Sequence, residues 1–249
     1  VTFATGAFLF FAAVLGGAIN SVAGGGSFIA FPALLFAGAA PIRANATNTI
    51  ALWPGSAASV VAYRRELHGV RREFAPLGAA ALIGGCAGSF LLLRTPEHAF
   101  VLLIPWLLLF ATVLFSFSRV LGGRALSGRV PLSVGTVVQL VFSVYAGYFG
   151  GGTGILMLGL LSLMGMTDIH RMNALKTALA AIANGAAVVA FIAAGAVDWT
   201  HGVVMVGGGI AGGYAGAAIA RRVDPRHVRL LVLAIAWAMT VFFFVKTYR

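Results

Sequence analysis

The sequence predicts an all-α integral membrane protein. It is read as two inverted-topology repeats of five helical segments, each with a glycine-broken short helix reaching mid-membrane. Three observations carry this. The 249 residues are 60% hydrophobic and 9% charged, with a mean hydropathy of +0.99, whereas soluble domains are about 25% charged. A glycine-rich pattern recurs, its triplets 126 residues apart and the motifs that follow them 128 residues apart. The arginines fall in short clusters between apolar runs. Apolar and polar residues do not alternate strictly, which disfavours an outer-membrane barrel.

Ten apolar segments follow in order. The first half holds about 3–23, 27–39, 45–63, 74–93 and 98–118; the second holds about 131–149, 153–165, 173–195, 200–220 and 228–247. Eight approach the roughly 20 residues needed to cross a bilayer. The segments that follow the glycine triplets Gly24-Gly25-Gly26 and Gly150-Gly151-Gly152 are shorter. About 13 residues make ~20 Å of helix, short of the ~30 Å hydrocarbon core. Each is expected to pair with the preceding helix as a hairpin or broken helix. Pro41 and Pro225 are expected at helix starts, and Pro32 and Pro54 inside helices. Gly84 to Gly88 and Gly212 to Gly216, also 128 apart, mark close helix contacts. The organisation is therefore a first repeat at 1–118, a cytoplasmic linker at 119–130 and a second repeat at 131–249.

Orientation comes from the arginines. The clusters are Arg64, Arg65, Arg71 and Arg72; Arg119, Arg124 and Arg129; and Arg221, Arg222, Arg226 and Arg229. Placing all three in the cytoplasm satisfies the positive-inside rule and puts both termini outside. Five passes per half is an odd number, so the second half enters from the opposite side. Lys246 and Arg249 at the outer C-terminus oppose this mildly. The net charge of +11 is thus a topology signal, and nucleic acid is not an expected partner. No basic leader precedes the first apolar run, so no cleavable signal peptide is expected.

The breaks carry the chemistry. In a membrane, irregular backbone survives only where protein or a cavity covers it. The triplet followed by Ser27 or Thr153 reads as a break with a helix N-cap at the hydroxyl. The new helix would start at depth, with free N–H groups and a positive dipole end that favour anions. Gly25, Gly26, Ser27, Gly151, Gly152 and Thr153 are therefore candidate substrate-binding residues. Tight helix packing is the competing role for these glycines.

Polar residues within apolar runs add to this set. Arg43-Ala44-Asn45-Ala46-Thr47-Asn48-Thr49 aligns with Arg171-Met172-Asn173-Ala174-Leu175-Lys176-Thr177. Asn45, Asn48 and Asn173 supply directional donors, and Lys176 supplies a charge. Helix-to-helix hydrogen bonding competes for the asparagines, and snorkelling to the interface for Lys176. Asn20 and Asn184 are secondary candidates. So are Arg43 and Arg171, which could equally cap the short helices. The six acidic residues and five histidines lie in loops or at helix ends, so a buried proton relay is unsupported. The single cysteine excludes a cysteine metal framework, and no metal or cofactor motif is present. Neither lysine follows a glycine, which excludes a phosphate-binding loop for ATP. A cation transporter and a membrane enzyme both lack the residues they need at depth.

The stretch Gly17-Ala18-Ile19-Asn20-Ser21-Val22-Ala23-Gly24-Gly25-Gly26-Ser27 with the Arg43-to-Thr49 motif resembles the sulfite exporter TauE/SafE family, also called the toluene-sulfonate uptake permeases. Gly147-Tyr148-Phe149-Gly150-Gly151-Gly152-Thr153-Gly154 and Asn173 to Thr177 resemble its second signature. The resemblance covers essentially the whole chain. It implies a multi-pass inner-membrane protein that moves sulfite, sulfonates or related organic anions. The expected function is a secondary transporter working by alternating access, with export preferred. An anion channel or facilitator, and an importer of an organic acid, are the alternatives. Expected partners are a small anionic substrate and the lipid bilayer, with self-association left open.

Overall fold

The computed structural model describes residues 2–23, 25–67, 71–123, 130–219 and 225–249. Gly24, residues 124–129 of the linker, Arg221 and Arg222 lie outside the described residues. Among the described residues all regular structure is helical. In chain order the helices are α1 (Phe3–Ala23), α2 (Ser27–Phe36), α3 (Pro41–Ala62), α4 (Arg64–Leu67), α5 (Arg71–Arg94), α6 (Glu97–Gly123), α7 (Leu132–Tyr148), α8 (Thr153–Leu163), α9 (Ile169–Ala193), α10 (Trp199–Ile219) and α11 (Pro225–Tyr248). Each expected segment is present; the one-turn α4 is additional. Pro41 and Pro225 open α3 and α11, and Pro32 and Pro54 lie inside α2 and α3.

Five described helices are long and apolar enough to cross a membrane: α1, α5, α6, α9 and α11. With 22 and 21 residues, α3 and α10 match the ~30 Å core in length, and α7 has 17. The short helices α2 and α8 have 10 and 11 residues, or about 15 Å each. Many large apolar side chains face outward, among them Phe11, Ile83, Phe90, Val141, Val189 and Val203. Such a surface requires lipid around it. Cys86 is exposed on α5.

Packing repeats at the sequence offset. α1 lies along α10, and α7 lies along α5; α3 meets α10, and α9 meets α5. Gly84 and Gly88 let α5 approach the α7 carbonyls of Leu140 and Val144, and Gly212 lets α10 approach Val14 of α1. A side chain at any of these glycines would collide with backbone. Two contacts join residues 128 apart: Thr112 Oγ1 to Thr240 Oγ1 at 3.0 Å, and Trp53 Nε1 to the Ala181 carbonyl at 2.9 Å. Helices α3 and α9 run antiparallel. The start of α3 meets the loop beyond α9, where the Asp198 N–H donates to Thr47 Oγ1 at 3.0 Å. At the other end α4, just past α3, packs on α9.

Candidate functional site

Each break is built differently. Gly150 and Gly152 have φ of +81° and +74°, the left-handed region that glycine alone adopts cheaply. Gly26 is helical, with φ −58°, and is required instead because a side chain there would strike the Gly16 carbonyl. Gly25 packs on Val232 and Phe115, and Gly151 on Phe149 and Ala111. The N-caps are Gly26 and Gly152, with no side-chain cap bond. Ser27 and Thr153 are therefore the first helical residues, correcting the expected N-cap. Their hydroxyls act elsewhere: Thr153 donates to the Gly150 carbonyl at 2.8 Å, and Ser27 accepts from Asn48 Nδ2 at 3.2 Å.

Between α1, α3, α8, α9 and α10 lies a polar cavity of about 240 Å³. Asn20, Ser56, Gly150, Thr153, Asn173, Lys176 and Asn184 are among the residues that line it. It extends past Ser59 to Tyr63 at the end of α3. A smaller lobe of about 50 Å³ adjoins it, lined by Ser27, Asn48, Thr49 and Trp53. Asn20, Leu52, Ser56, Gly150 and Asn184 belong to both lobes. Both breaks thus reach one lobe, through Ser27 and Gly150.

Lys176 is part-buried, and its stem lies over Gly154; a Cβ there would meet its Cδ at 3.4 Å. The first N–H groups of α8, at Thr153 and Gly154, have no intrahelical partner by construction. Lys176 and this helix end both border the large lobe. Among the described residues Arg171 pairs with Asp168 at 3.3 Å and the His201 ring meets Asp198 at 2.6 Å, so no described carboxylate neutralises Lys176. Asn20 Nδ2 donates to Ser56 Oγ at 3.3 Å. Asn48 is 2% exposed, and its Oδ1 is buried without a partner.

Ser27, Asn48, Thr153, Asn173, Lys176, Asn20 and Asn184 are thus brought together. Asn45 is not. Its Nδ2 donates to the Tyr148 carbonyl at 2.9 Å, tying α3 to the end of α7. Gly25, Gly26, Gly151 and Gly152 shape the breaks but do not line the cavity. Arg43 and Arg171 are exposed and do not line it either. Neither caps a short helix; backbone N–H groups of Ala37 to Ala39 and Met164 to Met166 take the last carbonyls of α2 and α8. Arg171 instead pairs with Asp168, which caps α9 through the N–H groups of His170 and Arg171. These bonds, the Arg171 N–H first, hold the Asp168 carboxyl below its usual range.

Sequence reasoning missed Gly17, Ser59, Tyr63, Gly154, Gly209 and Gly213 as cavity walls. Four of these are glycines, which line the cavity with backbone. Among the described residues no group of histidine, cysteine or carboxylate side chains could hold a metal.

Residues 9–243 match the sulfite exporter TauE/SafE family. The chain belongs to this family. As a TauE/SafE member it is a multi-pass membrane transporter. Its curated relatives carry names of the same kind. A probable membrane transporter protein, ORF9, of a Sinorhizobium species is 30% identical over 94% of this chain and 90% of its own length. A probable membrane transporter protein of Haemophilus influenzae is 28% identical over 94% and 92%. The probable membrane transporter protein YfcA of Escherichia coli K12 is 26% identical over 93% and 87%. No solved structure matches this TauE/SafE chain significantly.

Proposed function

We propose that the chain is a secondary transporter that moves a small anion, such as sulfite, a sulfonate or a related organic anion, across the inner membrane by alternating access. The carrying observation is Lys176, a lysine within an apolar helix that borders a polar cavity beside the start of α8. Ionisable side chains at membrane depth are costly and are kept for function. The cation and the free N–H groups suit an anion. Asn173, Asn20 and Asn184 add neutral groups that orient it.

The two halves, 1–118 and 131–249, act in this reading as inverted repeats joined by a cytoplasmic linker, with both termini outside. Antiparallel α3 and α9 and the self-paired contacts at offset 128 support it. So does the cavity's one-sidedness. Ser59 and Tyr63 line it, whereas their equivalents Ala187 and Phe191 are fully buried. Asn173 lines it, whereas Asn45 is buried and bonded. Exchanging the roles of α3 and α9 generates the opposite state, open beside Phe191 and closed beside Tyr63. One closed end favours a carrier over a channel. An opening at the Tyr63 end, next to Arg64 and Arg65, supports an inward-facing reading of this state by the positive-inside rule. Export then begins from the state described.

Proteoliposomes test the reading. Sulfite or sulfonate flux should be saturable, show counterflow, and fall at least tenfold in Lys176→Gln while the protein stays folded. Flux unchanged in that variant would remove the proposed site.

A further inference from the structure

We propose that the preferred cargo is a monoanion carrying a neutral hydrogen-bond donor, a hydroxyl or an amide N–H, at the end remote from its charge. The inference rests on the anion site above and deepens it. Lys176 is the sole cationic side chain among the described residues that line either lobe. The position equivalent to it in the first half is Asn48, which is neutral. One positive charge balances one negative charge. A dianion would leave a second charge unpaired in a low-dielectric site, which is expensive.

The smaller lobe states the other requirement. It is lined by neutral polar groups, Ser27, Asn48, Thr49, Ser56, Asn20 and Asn184. The Asn48 amide is 2% exposed and spends its N–H on Ser27 Oγ at 3.2 Å. Its Oδ1 is left buried with no donor. A buried acceptor without a partner is unfavourable, and a ligand that brings a donor removes that penalty. The lobe is too small for a second charged group with its hydration shell, but it holds a hydroxyl. With the charged end at Lys176 and the Thr153–Gly154 N–H groups, the tail runs past Gly150, which borders both lobes.

The test uses four matched probes on the purified full chain: propane-1-sulfonate, 3-hydroxypropane-1-sulfonate, 3-methoxypropane-1-sulfonate and propane-1,3-disulfonate, with calorimetric affinities. The hydroxy compound should bind at least about tenfold tighter than the parent, since a site built around a hydroxyl penalises analogues that lack it. The methoxy compound, an acceptor only, should gain nothing, and the disulfonate should bind weakest. Asn48→Ala should bring the hydroxy and parent affinities within about twofold of each other. Equal binding of hydroxy and parent compounds by the wild-type protein overturns the proposal without needing a variant. So does a disulfonate that binds tightest, or a hydroxyl preference that survives Asn48→Ala. If sulfite binds and is lost in Lys176→Gln while the four probes rank equally, this inference fails and the anion site stands. If Lys176→Gln alters the affinity of no anion, both fall.

Discussion

Thr112 and Thr240, 128 residues apart, meet each other at 3.0 Å in the buried contact between α6 and α11. Thr240 Oγ1 donates to the Ala236 carbonyl at 2.7 Å, so the proton between the threonines belongs to Thr112. Removing one hydroxyl strands the other. Thr240→Val should cost about 1 kcal/mol. Thr112→Val/Thr240→Val should cost less than the sum of the single changes, because both polar groups leave together. Thermal unfolding of the purified variants checks this; strict additivity would mean the two do not interact.

The second break is set by a left-handed glycine. Gly152→Ala places a Cβ on a residue with φ +74° and should destabilise by ~1–2 kcal/mol. Gly159, inside α8, has nothing within 4 Å of the Cβ position. Gly159→Ala should stabilise by ~0.5–1 kcal/mol through helix propensity. Opposite shifts in melting temperature from two Gly→Ala changes in one segment are the expected result.

The start of α10 responds to acid. Burial raises the Asp198 carboxyl, but the His201 ring and the N–H groups of His201 and Thr200 outweigh it, so the carboxyl titrates below its usual range. A depressed folded-state value stabilises the fold above the ordinary carboxylate range, and that stability is lost as pH falls through the folded value. Asp198→Asn should therefore lower stability near neutral pH. The gap from wild type should close below about pH 4. Melting curves at pH 7 and pH 3 make the comparison.

The proposed carrier cycle makes access to the cavity one-sided in this state. In a Cys86→Ser background, Ser59→Cys should react with a membrane-impermeant thiol reagent applied from the side bearing Arg64 and Arg65. Ala187→Cys, its fully buried equivalent, should not. Saturating transported anion should raise Ala187→Cys labelling as the opposite state becomes populated. Equal labelling of both cysteines without substrate would argue for a through-channel.

In the proposed cycle the Asn45 bond belongs to the closed end. Asn45→Ala strands the Tyr148 carbonyl and should cost ~1–3 kcal/mol in the state described. Weakening that end should shift the population toward opening beside Phe191, read as faster labelling of Ala187→Cys. Slower labelling would place Asn45 outside the gate.

Most of the fold was legible because membrane helices announce themselves through apolar runs, and because the repeat fixed equivalent boundaries. Starts were less legible. Helix α9 begins four residues before the apolar run expected at 173, since Asp168 caps it there. The break helices were placed correctly, but their caps were shifted by one residue. The backbone sets the Gly152 cap through its left-handed turn, so the hydroxyl of Thr153 is not needed for it. Lys176, Asn48 and Ser27 were legible as polar groups against an apolar background. Asn45 was legible as equivalent to Asn173, but not that the two would differ in use. A repeat in sequence fixes partners, whereas one conformation breaks their equivalence. Tyr63 and Ser59 were hidden because which face of α3 meets the cavity depends on its crossing with α9. Gly17, Gly209 and Gly213 were hidden because a wall made of backbone leaves no chemical signature.

In the proposed cycle Lys176 also decides where a voltage can act. With Lys176 protonated, the empty cavity carries one positive charge, and a bound monoanion cancels it. The loaded step is then electrically silent, and the field works on the return of the empty protein. During export that return carries positive charge inward, downhill by about 2.3 kcal/mol per 100 mV of negative-inside potential. Such a transporter is paced by its membrane on the limb of the cycle when it carries nothing.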